Sequence, residues 1–214
     1  MSFDTPVAFF VFNRPLLTAR VFSAIRELKP SRLFLVADGA RNAEEAGACE
    51  ATRSVISDID WDCDVKTSFS DVNLGCRRRM SSGIDWVFSQ TEQAILLEDD
   101  CLPEQSFFPY CAELLNHYAD DERVMTISGD NMQFGVRQTP HSYYFSAIHH
   151  IWGWATWRRA WKHYDVEMKQ WPLVSQTDFP GDMVPPYAAK FHKKLMGDTF
   201  AGKIDTWDYQ WVFA

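Results

Sequence analysis

Short apolar runs alternate, along the first 130 residues, with segments in which apolar side chains recur every three or four positions. The run "PVAFFVF" at 6–12 is continuously apolar, as expected for a strand that is covered on both faces. After it, residues 17–28 place Val21, Ile25 and Leu28 on one face of a helix. The chain therefore begins with a buried strand followed by an amphipathic helix.

This unit repeats. Further strands are predicted at 32–38, 64–69, 93–100 and 123–129. Helical spacing predicts helices at 44–59, 80–88 and 107–118. Strands that alternate with amphipathic helices indicate an α/β fold with a mostly parallel sheet and helices on its faces. In such a sheet, ligands bind beyond the carboxyl ends of the strands.

The alternation stops near residue 130, which predicts two halves, 1–129 and 130–214. The second half is rich in aromatic residues and mixes a strand, an aromatic loop and a short helix. Seven of the nine tryptophans lie in the last third of the chain: Trp152, Trp154, Trp157, Trp161, Trp171, Trp207 and Trp211. The last residues, "DTWDYQWVFA", end inside an apolar pattern without a polar tail. We therefore expect the sequence to be a C-terminally truncated form of a longer protein.

Composition excludes several classes of function. A formal net charge of -8 disfavours nucleic-acid binding, which depends on Lys and Arg. No apolar stretch reaches the length of a membrane span, and the N-terminus lacks the features of a signal peptide. The five cysteines are odd in number and show no C-x-x-C pair, which indicates thiols in a reducing compartment. We expect a cytoplasmic protein without a membrane span, with peripheral membrane association left open.

Three consecutive carboxylates, Glu98, Asp99 and Asp100, end the predicted strand "QAILLEDD". Adjacent carboxylates repel one another unless a cation or hydrogen-bond donors compensate. Mg²⁺ and Mn²⁺ use one or two protein carboxylates and complete their shell with water and phosphate oxygens. The residues alone leave two interpretations open, a metal site and a solvated turn.

Polar residues also come after the other predicted strands. Arg14 comes after the first strand, where it is either a phosphate ligand or a surface cation. Asp38 comes after the second strand and is either an acceptor for a base or ribose or a routine turn residue before Gly39. The segment "NLGCRRR" at 73–79 puts three arginines at a helix start, where an anionic ligand would offset the unfavourable dipole. A solvated basic turn is the alternative for that segment.

In their order along the chain, "FNRP", "ADG", "NLG", "ILLEDD", "WGWATWRRAW" and "DTWDYQW" resemble the motifs of bacterial glycosyltransferases of the GT-A type. They are more distantly similar to the Golgi N-acetylglucosaminyltransferase that initiates complex N-glycans. The resemblance spans nearly the whole chain. It implies a Rossmann-like nucleotide-diphospho-sugar transferase fold, with a nucleotide-sugar-binding half at 1–129 and an aromatic-rich acceptor half at 130–214.

The resemblance also implies roles for individual residues. Asp100 would contact a Mn²⁺ or Mg²⁺ ion that bridges the diphosphate of a nucleotide-sugar donor. The expected contacts of the nucleotide and the donor sugar are Arg14, Asp38, Asn73, Arg77, Glu98 and Asp99. Relatives continue for several tens of residues after the W-D pair found here in "DTWDYQW", often with a His near the metal, and this chain has no such segment.

The second half would supply a carboxylate base and the contacts of the acceptor. The resemblance favours Asp208 over Asp205 as the base that deprotonates the acceptor hydroxyl. The alternative is that Asp205 caps a helix and Asp208 lies in its first turn. Trp152 or Trp154 would lie against a sugar ring, the alternative being core packing. Of His149 and His150, one buried and one exposed histidine are expected.

The resulting hypothesis is a metal-dependent glycosyltransferase, inverting, that moves a sugar from a nucleotide diphosphate donor to a glycan or lipid-linked acceptor. Uridine as the base is implied by the resemblance alone. A sugar-1-phosphate nucleotidylyltransferase would need a glycine-rich basic loop after the first strand, and "FNRPLLTAR" contains no glycine. A noncatalytic carbohydrate-binding or assembly protein derived from a truncated transferase is the rival from another class.

Overall fold

The computed structural model describes residues 3–133, 135–136, 139–181 and 183–214. The described strands are β1 Val7–Val11, β2 Arg32–Ala37, β3 Asp64–Phe69, β4 Gln93–Glu98, β5 Thr126–Ser128 and β6 Trp154–Trp157. The described helices are α1 Pro15–Leu28, α2 Ala43–Ser57, α3 Gly75–Phe88, α4 Phe107–His117, α5 Arg158–Trp161, α6 Trp171–Val174, α7 Pro186–Phe200 and α8 Asp208–Phe213. The α/β alternation predicted for the first part of the chain is confirmed.

The strands form one six-stranded sheet in the order β3-β2-β1-β4-β6-β5. β1 pairs in parallel with β2 and β4, and β2 pairs in parallel with β3. β6 is antiparallel to both β4 and β5. The predicted class, an α/β fold with a mostly parallel sheet flanked by helices, is therefore confirmed. β5 runs in the same direction as β4, so the carboxyl ends of five strands and the start of β6 share one edge.

The connections reverse direction at β1. Phe9 of β1 packs on Phe22 of α1, with ring centroids 6.4 Å apart, and α1 packs on α2. On the opposite face, Phe34 of β2 meets Trp86 of α3 edge to face at 5.6 Å. The chain thus moves outward from β1 to β3 and returns through α3 to β4, on the other side of β1. In open α/β sheets, such a reversal point is where ligands bind, here beyond the carboxyl ends of β1 and β4.

Burial depends on the position of each strand in the sheet. All five residues of β1 are buried, as are the four apolar residues of "AILL" in β4. β3 lies at an edge, and its residues are exposed or half-buried. Continuous apolar runs in the sequence therefore mark the central strands, since only those are covered on both faces.

The chain divides into two compact units. The first contains Met1–Asp130 and His150–Lys162, and the second contains Asn131–His149 and His163–Ala214. β6 and α5 thus belong to the first unit, whereas the division expected from the sequence grouped them with the second half. The second unit has a core of Met168, Trp171 and Met196, against which Phe179, Val212 and Phe213 pack. Within the described residues, no helix combines the length and the apolar character needed to cross a membrane.

Candidate nucleotide and metal site

An arginine joins the carboxyl ends of β1 and β4. Arg14 stands between Val11, the end of β1, and Pro15, the start of α1. Its Nη1 donates hydrogen bonds to Asp99 Oδ1 at 3.2 Å and to Asp100 Oδ2 at 2.8 Å. Charge-assisted bonds of this kind are stronger than neutral ones. One cation and two carboxylates therefore lie at the reversal point of the sheet.

The two carboxylates of this group have different environments. The side chain of Asp99 is 9 % exposed, and that of Asp100 is 52 % exposed. Asp99 Oδ2 also accepts a hydrogen bond from the Phe12 backbone N–H at 3.4 Å. Asp99 therefore faces inward, and the carboxylate of Asp100 faces solvent, where a ligand can reach it.

The electrostatics of the pair agree with its burial. Burial raises the pKa of Asp99 above its ordinary value, although attraction by Arg14 opposes that shift. The pKa of Arg14 is raised, chiefly because of the charge of Asp99. Desolvation prevails at Asp99 because its carboxylate is buried, while the arginine that compensates it is itself half exposed. The cation thus compensates this buried carboxylate only in part.

Asp38 forms a second centre at the same edge, after β2, and is buried. Its Oδ1 accepts hydrogen bonds from the N–H groups of Gly39 and Leu74, each at 2.9 Å. Its Oδ2 accepts from Asn73 Nδ2 and from the N–H of Gly75, each at 3.1 Å. Because a carboxylate oxygen offers about two lone pairs, these bonds fill the acceptor capacity of Asp38. The side chain therefore holds the start of α3, and its contact with a nucleotide stays a prediction.

Glycine allows the two loops around Asp38 to meet. A Cβ placed on Gly39 would lie 2.5 Å from the backbone carbon of Val72. Asn73 Nδ2 donates a second hydrogen bond to the carbonyl of Gly39 at 2.8 Å. Gly75 has a φ of +79°, in the left-handed region that glycine adopts readily. The "ADG" and "NLG" motifs thus form one interlocked structure.

The three arginines of "NLGCRRR" do not share a role. Arg79 is buried, and its Nη2 donates to the carbonyl of Ser68 at 2.5 Å and to Ser68 Oγ at 2.9 Å. Burial lowers the pKa of Arg79. Arg77 is half-buried and Arg78 is exposed. Arg79 is therefore a structural residue, and Arg77 stays the predicted ligand contact.

The residues at the β4 end fit a divalent cation that is only partly held by protein. Within the described parts of the chain, no three His, Cys, Asp or Glu side chains are grouped so that they could hold a metal ion. Mg²⁺ and Mn²⁺ do not need such a cage when water and phosphate oxygens complete the shell. Asp100 offers a solvent-facing carboxylate, and the neighbouring Glu98 is half-buried. Asp100 is therefore the residue that would hold the ion.

The two tryptophans predicted to contact sugar differ in exposure. Trp152 is 60 % exposed, and its ring lies nearly parallel to that of His150, with centroids 6.3 Å apart. Trp154 is 1 % exposed and packs on Trp161 inside the first unit. The prediction was wrong for Trp154, because β6 lies between β4 and β5 and this side chain fills the core. Trp152 stays a candidate for contact with a sugar.

Asp208 and Asp205 lie in the second unit. Asp208 begins α8, is half-buried, and accepts a hydrogen bond from the Thr206 hydroxyl. Trp207 occupies the N-cap position of this helix, so Asp205 does not cap it. Asp205 is exposed. The role of Asp208 as a base stays a prediction.

One further carboxylate at the sheet edge was not singled out from the sequence. Asp130 lies just after β5, which ends at Ser128, and it is half-buried. The rule that selected Asp38 and the carboxylates after β4 also applies here, since "TISGD" places an aspartate just beyond a predicted strand. The strand-end signal was therefore present at β5 as well.

Comparisons with known proteins leave the family open. No protein-family model matches the chain, and neither does any curated protein sequence. Among solved structures, the chain is similar to 4-diphosphocytidyl-2C-methyl-D-erythritol synthase from Anaerococcus prevotii, at 10 % identity and a TM-score of 0.40. The match covers 72 % of each chain. A likeness this weak carries no argument, so function has to be inferred from the site itself.

Proposed function

We propose that this protein is a metal-dependent glycosyltransferase. It moves a sugar from a nucleotide diphosphate donor, for which the resemblance favours UDP, to a glycan or lipid-linked acceptor, with inversion. The observation that carries the proposal is the Arg14, Asp99 and Asp100 group at the reversal point between β1 and β4. In sheets of this kind, nucleotides bind at that position. We assign the activity to the cytoplasm, at a membrane surface if the acceptor is lipid-linked.

The charges at the site suit a diphosphate. The protein as a whole carries a net charge of -8, so an anionic donor needs local cations. Arg14 is half exposed and can turn its guanidinium toward phosphate oxygens. A divalent cation held by Asp100 would neutralise charge on the departing nucleotide diphosphate. Glu98 and Asp99 would lie near the ribose or the donor sugar, and Asn73 and Arg77 near the nucleotide.

Asp38 acts on the nucleotide site through the loop it holds. Its carboxylate bonds to backbone N–H groups at the start of α3, so it keeps "NLG" in place beside the end of β2. A positioned loop restricts where the nucleotide can lie without a direct bond from Asp38. We therefore assign Asp38 a positioning role.

Asp208 is the base in this proposal. Asp208 accepts the proton of the acceptor hydroxyl as that oxygen bonds to the anomeric carbon and the bond to the diphosphate breaks. The acceptor gains the sugar, the nucleotide diphosphate leaves, and the carboxylate holds the proton. A single displacement of this kind inverts the anomeric centre.

Thermal unfolding with UDP and Mn²⁺ tests the donor site. We expect UDP with Mn²⁺ to raise the unfolding temperature more than UDP alone, because binding to the folded state stabilises it. UMP with Mn²⁺ is the comparison that isolates the second phosphate, and GDP and CDP test the base. Asp62→Ala is a matched control, because Asp62 is exposed and lies before the amino end of β3, whereas the proposed site lies at the carboxyl ends of the strands. The absence of a shift with every nucleotide diphosphate, with and without metal, would contradict the proposal.

Substitution of the two acidic residues near α8 tests the base. Asp208→Asn should leave the UDP-induced shift unchanged and lower transfer about 10²- to 10⁴-fold, the usual contribution of a general base. Asp205→Asn is the matched control and should retain transfer. Release of nucleotide diphosphate in the presence of acceptor measures the step. Equal loss of transfer in both variants, or loss only in Asp205→Asn, would refute the assignment of Asp208.

Nucleotidylyl transfer is less well supported by the geometry. Only residues 12–14 separate the end of β1 from the start of α1, and none of them is glycine. Incubation with UTP and a sugar 1-phosphate should therefore yield no pyrophosphate. Release of pyrophosphate would favour that activity. Nucleotide diphosphate binding without transfer to any acceptor would favour a noncatalytic carbohydrate-binding or assembly protein.

A further inference from the structure

A second group of polar and aromatic side chains lies at the carboxyl edge of the sheet, beside β5. Asp130 lies two residues beyond β5, and Trp152 lies two residues before β6. The two strands are antiparallel, and the Gly129 N–H donates a hydrogen bond to the Gly153 carbonyl at 2.9 Å. The pairing of the strands therefore brings Asp130 and Trp152 together within the first unit.

The carboxylate of Asp130 is only partly satisfied. The backbone N–H of Trp152 donates a hydrogen bond to it, and His150 lies close enough to act on it electrostatically. Its Oδ2 is shielded from solvent and has no hydrogen-bond partner among the residues that the structure describes. A buried carboxylate oxygen without a partner is costly, and a ligand hydroxyl would remove that cost. Asp130 thus differs from Asp38, whose oxygens are all engaged.

Beside this carboxylate, Trp152 offers a flat aromatic surface. The ring is 60 % exposed and is backed by His150 at an interplanar angle of 23°. Phe107 lies against this segment, since a Cβ on Gly153 would lie 3.6 Å from its ring and a Cβ on the paired Gly129 would lie 2.6 Å from it. Gly153 adopts a φ of +78°, which sets the direction of the chain between Trp152 and β6. A large exposed apolar ring on a supported turn is a typical feature of a binding surface.

The position of this group relative to the metal-site carboxylates is set by the sheet. β6 separates β4 from β5, and neighbouring strands lie about 4.8 Å apart, so the two strand ends are roughly 10 Å apart. The pair formed by Asp130 and Trp152 is thus beside the group of Arg14, Asp99 and Asp100, along the same edge.

We propose that Asp130 and Trp152 form a binding subsite for a pyranose ring. Trp152, backed by His150, packs against the apolar face of the sugar, and the half-buried carboxylate of Asp130 accepts a hydrogen bond from one of its hydroxyl groups. The inference rests on the proposed function in one respect, which is that the ring is the sugar of the donor or of the acceptor. The chemistry is the same for either source, so the experiment separates them.

The test compares free glycosides with nucleotide sugars. Binding of the methyl glycosides of glucose, galactose, mannose and N-acetylglucosamine is measured by saturation-transfer-difference NMR. Binding of UDP, UDP-glucose and UDP-N-acetylglucosamine with Mn²⁺ is measured by titration calorimetry. The variants are Trp152→Ala, Trp152→Phe and Asp130→Asn. Tyr187→Ala is the control, since Tyr187 is 81 % exposed but lies on α7 in the second unit.

We expect Trp152→Ala to weaken sugar binding about tenfold and Asp130→Asn several-fold, with Trp152→Phe intermediate. Losses confined to glycosides identify the acceptor sugar, and losses for UDP-sugars but not for UDP identify the donor sugar. Circular dichroism and thermal unfolding confirm that each variant is folded. The subsite is overturned if the wild-type protein binds no sugar, or if both Trp152→Ala and Asp130→Asn bind sugars as the wild type does.

Failure of the donor proposal gives a different result. Glycoside binding that depends on Trp152, together with no binding of any nucleotide diphosphate, would retain the subsite and refute the nucleotide site. Binding of UDP with Mn²⁺, together with no binding of any sugar ring, would retain the nucleotide site and refute the subsite. Loss of sugar binding in Tyr187→Ala to the same extent as in Trp152→Ala would also count against the subsite.

Discussion

Two aspartates at the same edge of the sheet, Asp38 and Asp100, illustrate opposite uses of a strand-end carboxylate. Asp38 is buried and accepts hydrogen bonds from three backbone N–H groups and an amide. Asp100 is 52 % exposed, with Arg14 as a charged partner. A saturated carboxylate stabilises the protein, whereas a solvent-facing one can bind a ligand. Position at a strand end is therefore compatible with either role, and the surrounding donors determine which applies.

The difference arises from the loop after each strand. After β2, Gly39 lets the backbone at Val72 approach closely, which brings the N–H groups at the start of α3 to Asp38. After β4, a tight turn from Glu98 to Cys101 leads the chain away, with a hydrogen bond from the Cys101 N–H to the Glu98 carbonyl at 3.1 Å. The turn leaves Asp100 outside the protein interior. The same residue type thus meets backbone donors in one place and solvent in the other.

The contrast between a stabilising Asp38 and a ligand-binding Asp100 would not hold if Asp38 proved dispensable for folding. Asp38→Ala leaves several backbone N–H groups without an acceptor, so we expect a loss of about 3 kcal/mol in the free energy of unfolding. For a chain of this size, that corresponds to roughly 6–12 °C in the unfolding temperature. Urea and thermal unfolding measure both quantities. Asp38→Asn keeps one acceptor oxygen and should lose less, and a change no larger than that of the exposed control Asp62→Ala would contradict this account.

Gly39 tests whether close approach of the two loops is what saturates Asp38. Gly39→Ala would put a Cβ 2.5 Å from the backbone of Val72, so one loop must shift, at a cost of about 2 kcal/mol. Gly47→Ala is the matched control, because Gly47 lies within α2 and a Cβ there meets no atom within 4 Å. We expect that substitution to be neutral or stabilising by up to about 1 kcal/mol. Chemical denaturation of the two variants side by side gives the answer, and equal effects would disprove the role of Gly39.

Asp100→Ala tests whether the solvent-facing carboxylate of Asp100 binds a ligand rather than stabilises the fold. Its carboxylate faces solvent, so we expect the free energy of unfolding to change by less than about 0.5 kcal/mol. Binding of UDP in the presence of Mn²⁺ should weaken at least about tenfold, because the ion loses its protein ligand. Calorimetric titration with and without the metal measures this effect. If Asp100→Ala bound UDP with the affinity of the wild type in the presence of Mn²⁺, Asp100 would not belong to the proposed site. A large loss of stability would show that Asp100, like Asp38, stabilises the fold.

The smallest expected effect concerns Asp99 and pH. Burial raises its pKa, so the stability it contributes is complete below its unfolded pKa of about 3.9 and declines as the pH rises through the folded value. Asp99→Asn removes this titration. The stability of the variant relative to the wild type should therefore increase with pH from about 3.9 upward, as measured by urea unfolding at a series of pH values. A relative stability that stays flat or falls would contradict the raised pKa, and Asp62→Asn serves as the exposed control.

Much of the fold was accessible from periodicity. Strands β1 to β4 and the helices between them overlap the predicted segments, because buried central strands and amphipathic helices have different hydrophobic periods. The bounds differ most at α3, which begins at Gly75 rather than at 80, and at β4, which ends at Glu98 rather than at 100. β6 is an exception in kind, since it runs antiparallel within an otherwise parallel sheet and the pattern does not encode strand direction. The prediction for Trp154 was wrong because its burial depends on β6 lying between β4 and β5, and the pattern does not encode strand order either.

The sequence by itself determined the α/β alternation and the presence of polar residues after β1, β2 and β4. Only the tertiary structure decided that Asp38 is saturated, that Asp99 is buried while Asp100 is exposed, and that Asp130 lies beside Trp152. The physical reason is the separation along the chain between each carboxylate and its hydrogen-bond donors. Periodicity indicates which side chains within one segment share a buried face, whereas the donors of Asp38 include groups more than 30 positions away and those of Asp99 lie more than 80 away. Such partners are set by strand order and loop packing.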